Sequence, residues 1–282
     1  NIKSATSLNK NHIIQKIINF QHQTYLPLAL ENFIEFSNVP LQKVYHHGGW
    51  SRLCQLAGKI EGFSSKNEQQ IISGIKNKWL STCSLHYFKF ILEIAKKGFN
   101  ISISDYNENE KLMLLMIHYD IWQKVGQFKT LEESINEIGK NEVLVSEIKS
   151  LLEILINKIN FKEIPIQLPY EQPLYLHARY TRDQILVAFR MNTFTNVSGA
   201  KIGVGVAENK DLNTELLFID LIKSEEDFSP TTMYNDYAVS QLLFHWQSQN
   251  QTRNDKGKGL TYINHINLGK HILLFVREKA KD

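Results

Sequence analysis

Cysteine is nearly absent: Cys54 and Cys83 are the only two in 282 residues. With no Cys-x-x-Cys pair and no His-x-x-x-His run, no zinc site or disulfide framework can be assembled. Both cysteines sit in helix-like apolar patterns, which reads as buried reduced thiols in the cytoplasm rather than a disulfide. The chain opens at Asn1 with no charged-then-apolar leader, so a secretory signal is not expected and the sequence reads as a piece of a longer protein. Long apolar runs are missing too. Leu112 to Ile117 and Leu151 to Ile156 fall far short of the roughly 20 residues that span a bilayer, so a soluble chain with no membrane partner is expected.

The signatures of common catalysts are equally scarce. No Gly-x-x-x-x-Gly-Lys loop occurs, and Gly203-Val-Gly205 lies in a strand-like run without a third glycine. No Gly-x-Ser-x-Gly elbow is present. Asp220-Leu-Ile-Lys223 is a loose echo of the carboxylate-and-lysine set of metal-dependent nucleases. These absences predict a non-catalytic chain without cofactor or bound metal. A net charge of +3 permits nucleic-acid binding without announcing it, since a non-specific DNA binder usually carries a dense basic patch.

What is present is apolar material, 43% of residues, enough for a core in each of two domains. From residue 10 to about 160 apolar positions recur at three and four, the spacing of one helix face. The pattern predicts helices over Lys10–Gln23, Leu28–Phe36, Glu68–Leu80, Leu85–Lys97, Glu110–Lys124 and Leu131–Ile159, with Gly139 a possible split in the last. Another follows the turn His47 to Ser51 and runs through Leu53, Leu56 and Ala57, while Pro40 closes the region before it. Ser65 with Glu68, Asn107 with Glu110 and Thr130 with Glu133 are spaced to cap first turns. Pro165, Pro169 and Pro173 interrupt the pattern and set the expected boundary, giving a helical module at 1–163 and a β-rich domain at 174–282.

Beyond the prolines, Leu174–Ala178, Lys201–Ala207, Glu215–Ile222, Ala238–Trp246, Thr261–His265 and His271–Arg277 read as strands, with one helix at Thr181–Met191 opened by Thr181 and Gln184. The expected class is α+β: an all-helical module, then a curled sheet or small barrel. Within it, Asp227 to Tyr237 and Phe244 to Gln249 place aromatics beside short polar groups, as a pocket for a planar base requires. Asp236 between Tyr234 and Tyr237 offers an acceptor for the exocyclic amine of cytosine, and Gln247 can both donate and accept. Tyr234, Tyr237 and Trp246 are candidate stacking or wall residues. The plainer alternative is that Tyr237, Phe244 and Trp246 fill the core. Arg179, Arg182, Arg253, Lys256 and Lys258 are candidate phosphate contacts, which fix register without reading sequence.

Four segments in this half carry a resemblance: Leu176 to Ile185, Lys223 to Ala238, Leu243 to Gln249, and Tyr262 to His265 with Leu273 to Glu278. In the helical half it continues through Tyr25 to Phe33 and through Val44-Tyr45 with Trp50. These segments resemble the C-terminal region of SauUSI-type modification-dependent restriction enzymes, where it follows a phospholipase-D-like nuclease and a superfamily-two helicase. The resemblance implies a target-recognition region for 5-methylcytosine or 5-hydroxymethylcytosine in double-stranded DNA. Its helical half would couple to the helicase and nuclease domains of the same polypeptide, and its β-rich half would be an SRA-like base-flipping reader. Two other readings stay open: a structural coupling module without base recognition, favoured by the near-neutral charge, and a cryptic nuclease built on Asp220.

Overall fold

The computed structural model describes residues 8–61, 66–123, 125–198, 205–222, 236–240, 242–249 and 252–279. It is an α+β arrangement, a helical region followed by small sheets. The chain divides into two compact units, Asn1–Ala188 with Asn192–Val197 and Phe189–Met191 with Ser198–Asp282.

The first unit is an array of ten helices among the described residues: α1 (Lys10–Thr24), α2 (Leu30–Phe36), α3 (Leu41–His46), α4 (Trp50–Leu56), α5 (Glu68–Asn77), α6 (Leu85–Lys96), α7 (Glu108–Ile121), α8 (Leu131–Ile138), α9 (Glu142–Asn157) and α10 (Arg182–Ala188). Ile13, Ile17 and Phe20 of α1 are buried at the predicted spacing, as are Leu144, Ile148, Leu151 and Leu152 of α9. Burying each such side chain contributes about 1.5–3 kcal/mol. The Asn107 cap is a complete box, with Asn107 Oδ1 accepting from Glu110 N at 2.9 Å and Glu110 Oε2 from Asn107 N at 2.8 Å. Thr130 Oγ1 accepts from Glu133 N at 3.1 Å, while the Glu133 carboxylate takes Lys129 N instead of closing the box. The Ser65 cap lies outside the described residues. Gly139 does divide the last predicted helix into α8 and α9.

Helix α3 was hidden by Pro40, which sits at its N-cap, where a missing amide donor costs nothing. The turn at residues 47–49 delivers the chain into α4 through Gly49 at φ +90°, where a Cβ would lie 2.6 Å from Ile72 Cδ1. Two more carboxylates act on helix starts from a distance. Glu147, buried on α9, accepts from Trp50 N and Ser51 N, both at 2.8 Å. Glu163 accepts from Leu85 N at 2.7 Å and His86 N at 2.8 Å.

The proline-rich stretch does not separate the units. Short strands β1 (Ile164–Pro165) and β2 (Tyr175–Leu176) pair antiparallel across it. Arg179 and Cys83 exchange backbone hydrogen bonds, both 2.8 Å. Tyr180 Oη lies 3.0 Å from Ser84 Oγ. Beneath α10, the fully buried Asp120 accepts from Tyr87 Oη at 2.9 Å, Trp79 Nε1 at 3.0 Å and Gln184 Nε2 at 2.9 Å. Gln184 Oε1 in turn accepts from Thr181 N at 2.8 Å, so half of the predicted Thr181 box forms. Burial pushes the Asp120 carboxyl up to about 7, against the opposing pull of these donors and of Lys78. The expected division at 163/174 therefore differs from the compact units. The three prolines interrupt helix locally, but side-chain bonds to Lys78, Thr82, Ser84 and Asp120 keep residues 164–188 in the helical unit.

The second unit holds β3 (Val206–Asn209), β4 (Thr214–Ile222), β5 (Tyr237–Ala238), β6 (Phe244–His245), α11 (Gly257–Ile263) and β7 (His271–Lys279). Its main sheet has the order β3-β4-β7, antiparallel then parallel, with β4 and β7 in register from Thr214↔His271 to Ile222↔Lys279. β5 and β6 form a separate hairpin. Of the expected curled sheet or small barrel, the barrel is not found: the described strands make small sheets with no closed barrel. Ala238–Trp246, read as one strand, instead takes in the end of β5 and all of β6, which pair antiparallel. Thr261–His265, read as a strand, is the end of α11 and the turn after it. Leu260 and Ile263 share a helix face, and Gly259 lets the first turn press on Arg253, whose carbonyl oxygen would stand 1.8 Å from a Cβ there.

Candidate nucleic-acid interface

Three features of the second unit bear on the candidate residues: the β5–β6 hairpin, a cavity beside α11, and a buried ion-pair cluster. In the hairpin, Tyr237 stands directly across from His245, and the two rings stack at 4.8 Å between centroids and 30° between planes. Tyr237 is 46% exposed and His245 is also exposed, so the stack faces solvent. Asp236 is buried, and its Oδ1 accepts from Gln247 N at 2.9 Å, extending the ladder by one rung through a side chain. Trp246 is half-buried and meets Tyr262 of α11 edge-on at 5.2 Å, fastening the hairpin to the helix. Gln247 has an exposed side chain. Tyr234 lies outside the described residues.

The cavity, about 340 Å³, is lined by Gln249, Thr252, Arg253, Lys256, Gly257 and Lys258. Three of the five predicted phosphate contacts thus converge on one wall. They are not electrostatically equal. Arg253 grips Asp255 through two bonds of 3.0 and 2.8 Å, both groups being exposed. Lys258 Nζ lies 2.8 Å from Glu215 Oε1 and 3.7 Å from Glu208 Oε2. Among the described residues Lys256 has no carboxylate at ion-pair distance, which makes it the cation whose field reaches the cavity least cancelled. Arg179 and Arg182 are exposed but belong to the helical unit, Arg179 on the backbone bridge to Cys83 and Arg182 at the start of α10.

The ion-pair cluster explains how the cavity wall is held. Glu208 and Glu215 are directly opposite on β3 and β4, a like-charge pair that is unfavourable alone. Lys270 bridges them, hydrogen-bonded to Glu208 and 3.4 Å from Glu215 Oε2, while Tyr262 Oη donates to Glu215 Oε1 at 2.6 Å. The hydrogen bond from Lys270 holds the Glu208 carboxyl below its ordinary value despite burial. Burial opposes the charge on Lys270, but the two glutamates outweigh it and raise its pKa.

Asp220, the centre of the nuclease alternative, forms an ion pair with Arg277 on the facing strand, at the register position where the two are neighbours. Lys223 lies outside the described residues. Among the described residues no three His, Cys, Asp or Glu side chains gather as a metal site. Cys54 and Cys83 are both free; burial pushes the Cys54 thiol up to about 12 and raises that of Cys83. No helix among the described residues is long and apolar enough to cross a membrane.

Thr252 lies outside the segments singled out from sequence, whereas His245 and Gln249 fall inside Phe244 to Gln249 but without a role of their own. The role of His245 comes from its cross-strand position opposite Tyr237. No curated protein and no solved structure matches the chain. One family model does match, over residues 174–282, and its description is a domain of unknown function, DUF3427.

Proposed function

We propose that this chain is a DNA target-recognition region that reads 5-methylcytosine or 5-hydroxymethylcytosine in duplex DNA, in the cytoplasm, for helicase and nuclease domains of the same polypeptide. The observation that carries the reading is the solvent-facing Tyr237–His245 stack on the same unit as a cavity lined by Arg253, Lys256 and Lys258. Flat faces accept a base, and cations accept phosphate. The identity of the base rests on the resemblance to modification-dependent restriction enzymes. Gln247, exposed beside the stack, supplies amide groups for a base edge, and Asp236 is assigned to holding the hairpin. Swinging a base out costs a few kcal/mol, which stacking recovers at about 1–3 kcal/mol per base.

A single methyl group is worth about 1–3 kcal/mol in an apolar pocket, so a roughly tenfold or greater preference for modified DNA is expected. Titrating the 282-residue chain with methylated and plain duplexes at two salt concentrations tests this. Equal affinity for both duplexes removes the reader.

A second reading, a structural coupling module between helicase and nuclease, draws on the aliphatic side chains left exposed in and after α11: Leu260, Ile263, Ile266 and Leu268. Association with the helicase portion, unaccompanied by DNA binding, would select it.

A further inference from the structure

Charge is unevenly spread along the chain. Residues 1–60 hold six of its 32 lysines and arginines but only two of its 29 carboxylates, Glu31 and Glu35, so this stretch is formally +4 and the remainder −1. Before Glu31 there is no carboxylate at all. Helix α1 lies inside that acid-free run. It buries Ile13, Ile17 and Phe20, and its first turn is closed by Asn9 Oδ1, which accepts from His12 N at 3.0 Å. Every other described helix of ten or more residues, α5, α6, α7 and α9, contains at least one glutamate.

The outer face of α1 is made of one kind of group. Asn11, Gln15, Asn19 and Gln23 recur every four residues, with His12 and His22 beside them, and all six are exposed. Lys10 is exposed at the start of the helix. Lys16 donates to a carbonyl oxygen, Ser37 O, at 2.9 Å. Among the described residues neither lysine has a carboxylate at ion-pair distance, so both charges are uncancelled. Tyr25, 90% exposed, ends the helix with its N–H on Gln21 O at 2.9 Å.

That composition selects the partner. Amide, hydroxyl and ammonium groups hydrogen-bond phosphate oxygens, and a face without carboxylates does not repel a polyanion. The apolar stripe of α1 is turned into the helical unit, so the helix has none to lay on a membrane. Its outer face has no exposed aliphatic side chain to bury against a protein.

We propose that α1 is a sequence-independent contact for the sugar-phosphate backbone of duplex DNA, with Lys10 and Lys16 balancing phosphate charge and Asn11, Gln15 and Asn19 donating to phosphate oxygens. The proposal rests on the DNA-reading function above. It adds a hold that Arg253 and Lys258, both already paired with carboxylates, supply only in part.

The test compares the 282-residue chain with the triple variant Lys10→Glu, Gln15→Glu, Asn19→Glu and the double variant Gln15→Lys, Asn19→Lys. All three positions are exposed and outside the core, so melting temperatures should stay native. Each protein is titrated with methylated and plain duplexes at two salt concentrations. The triple variant should bind both duplexes at least tenfold more weakly at the lower salt, by the same factor, with a shallower salt slope; the double variant should bind both more tightly. Unchanged affinity in the two variants would overturn the contact, and so would weakening on the methylated duplex alone. Native DNA affinity in the triple variant with lost association to the helicase portion would overturn it in favour of a protein partner. Equal native affinity for the two duplexes, both still weakened in the triple variant, would remove the reader and uphold the α1 contact. A native chain that binds no duplex would overturn both.

Discussion

The helical unit and the sheet unit differ in where their costly groups are concentrated, although the first also exposes large apolar side chains such as Tyr25 and Phe36. In the first, buried carboxylates are saturated: Asp120 by Trp79, Tyr87 and Gln184, and Glu147 by two helix-start amides. In the second, the charged cluster around Glu215 is internally balanced, but aliphatic and aromatic side chains from Tyr237 to Leu268 stand in solvent. A saturated polar network fixes one arrangement and leaves little to bind with, whereas exposed apolar groups are a standing cost that a partner can remove. Under the proposed reading, scaffolding falls to the first unit and recognition to the second.

The largest expected effect comes from cutting the chain where the family match begins. A fragment of residues 174–282 should lose all protection over 174–188, because Gln184 and Tyr180 no longer find Asp120, Thr82 and Ser84. Hydrogen exchange checks this, and protected amides over 184–188 in the fragment would show the segment to be self-sufficient. Next, Asp120→Ala should destabilise the chain by about 3 kcal/mol or more, since it strands three buried donors; denaturant unfolding measures it.

Asp120 also sharpens the comparison through pH. Its carboxyl titrates near 7 when folded, well above the ordinary value of 3.8, so the folded state holds a proton that the unfolded state has released. Its contribution to stability is full below about pH 4 and declines as pH rises to about 7. The difference in melting temperature between the native chain and Asp120→Asn should therefore change across that window and be flat above it. A flat difference throughout would mean that the donors hold the carboxylate charged. The smallest effect belongs to the cavity: Lys256→Ala should lower DNA affinity a few-fold and reduce the salt slope by about one, with no change in melting temperature.

Much of the helical unit was legible because its periodicity is local. Asn107 and Glu110 are three residues apart, and their box follows from spacing alone. What held residues 164–188 to that unit was not legible, because Gln184 meets Asp120 across 64 residues and Glu163 meets Leu85 across 78. Prolines mark where a helix stops, not where a core ends. Likewise Leu260 to His265 has the β-branched and aromatic content of a strand, and only the close approach of Gly259 to Arg253 makes the helix intelligible. At the candidate interface, residue type alone singled out Tyr237, Arg253, Lys256 and Lys258, and the structure shows where they lie, while Asp236 is engaged by a backbone amide 11 residues away.

The assignment of recognition to the second unit is tested most directly by mapping hydrogen-exchange protection of the whole chain with and without a methylated duplex. Protection concentrated in 237–249 and 252–258, absent with plain duplex and with the helical unit beyond α1 unchanged, is the expected result. Protection confined to the helical unit, or identical with both duplexes, would contradict it.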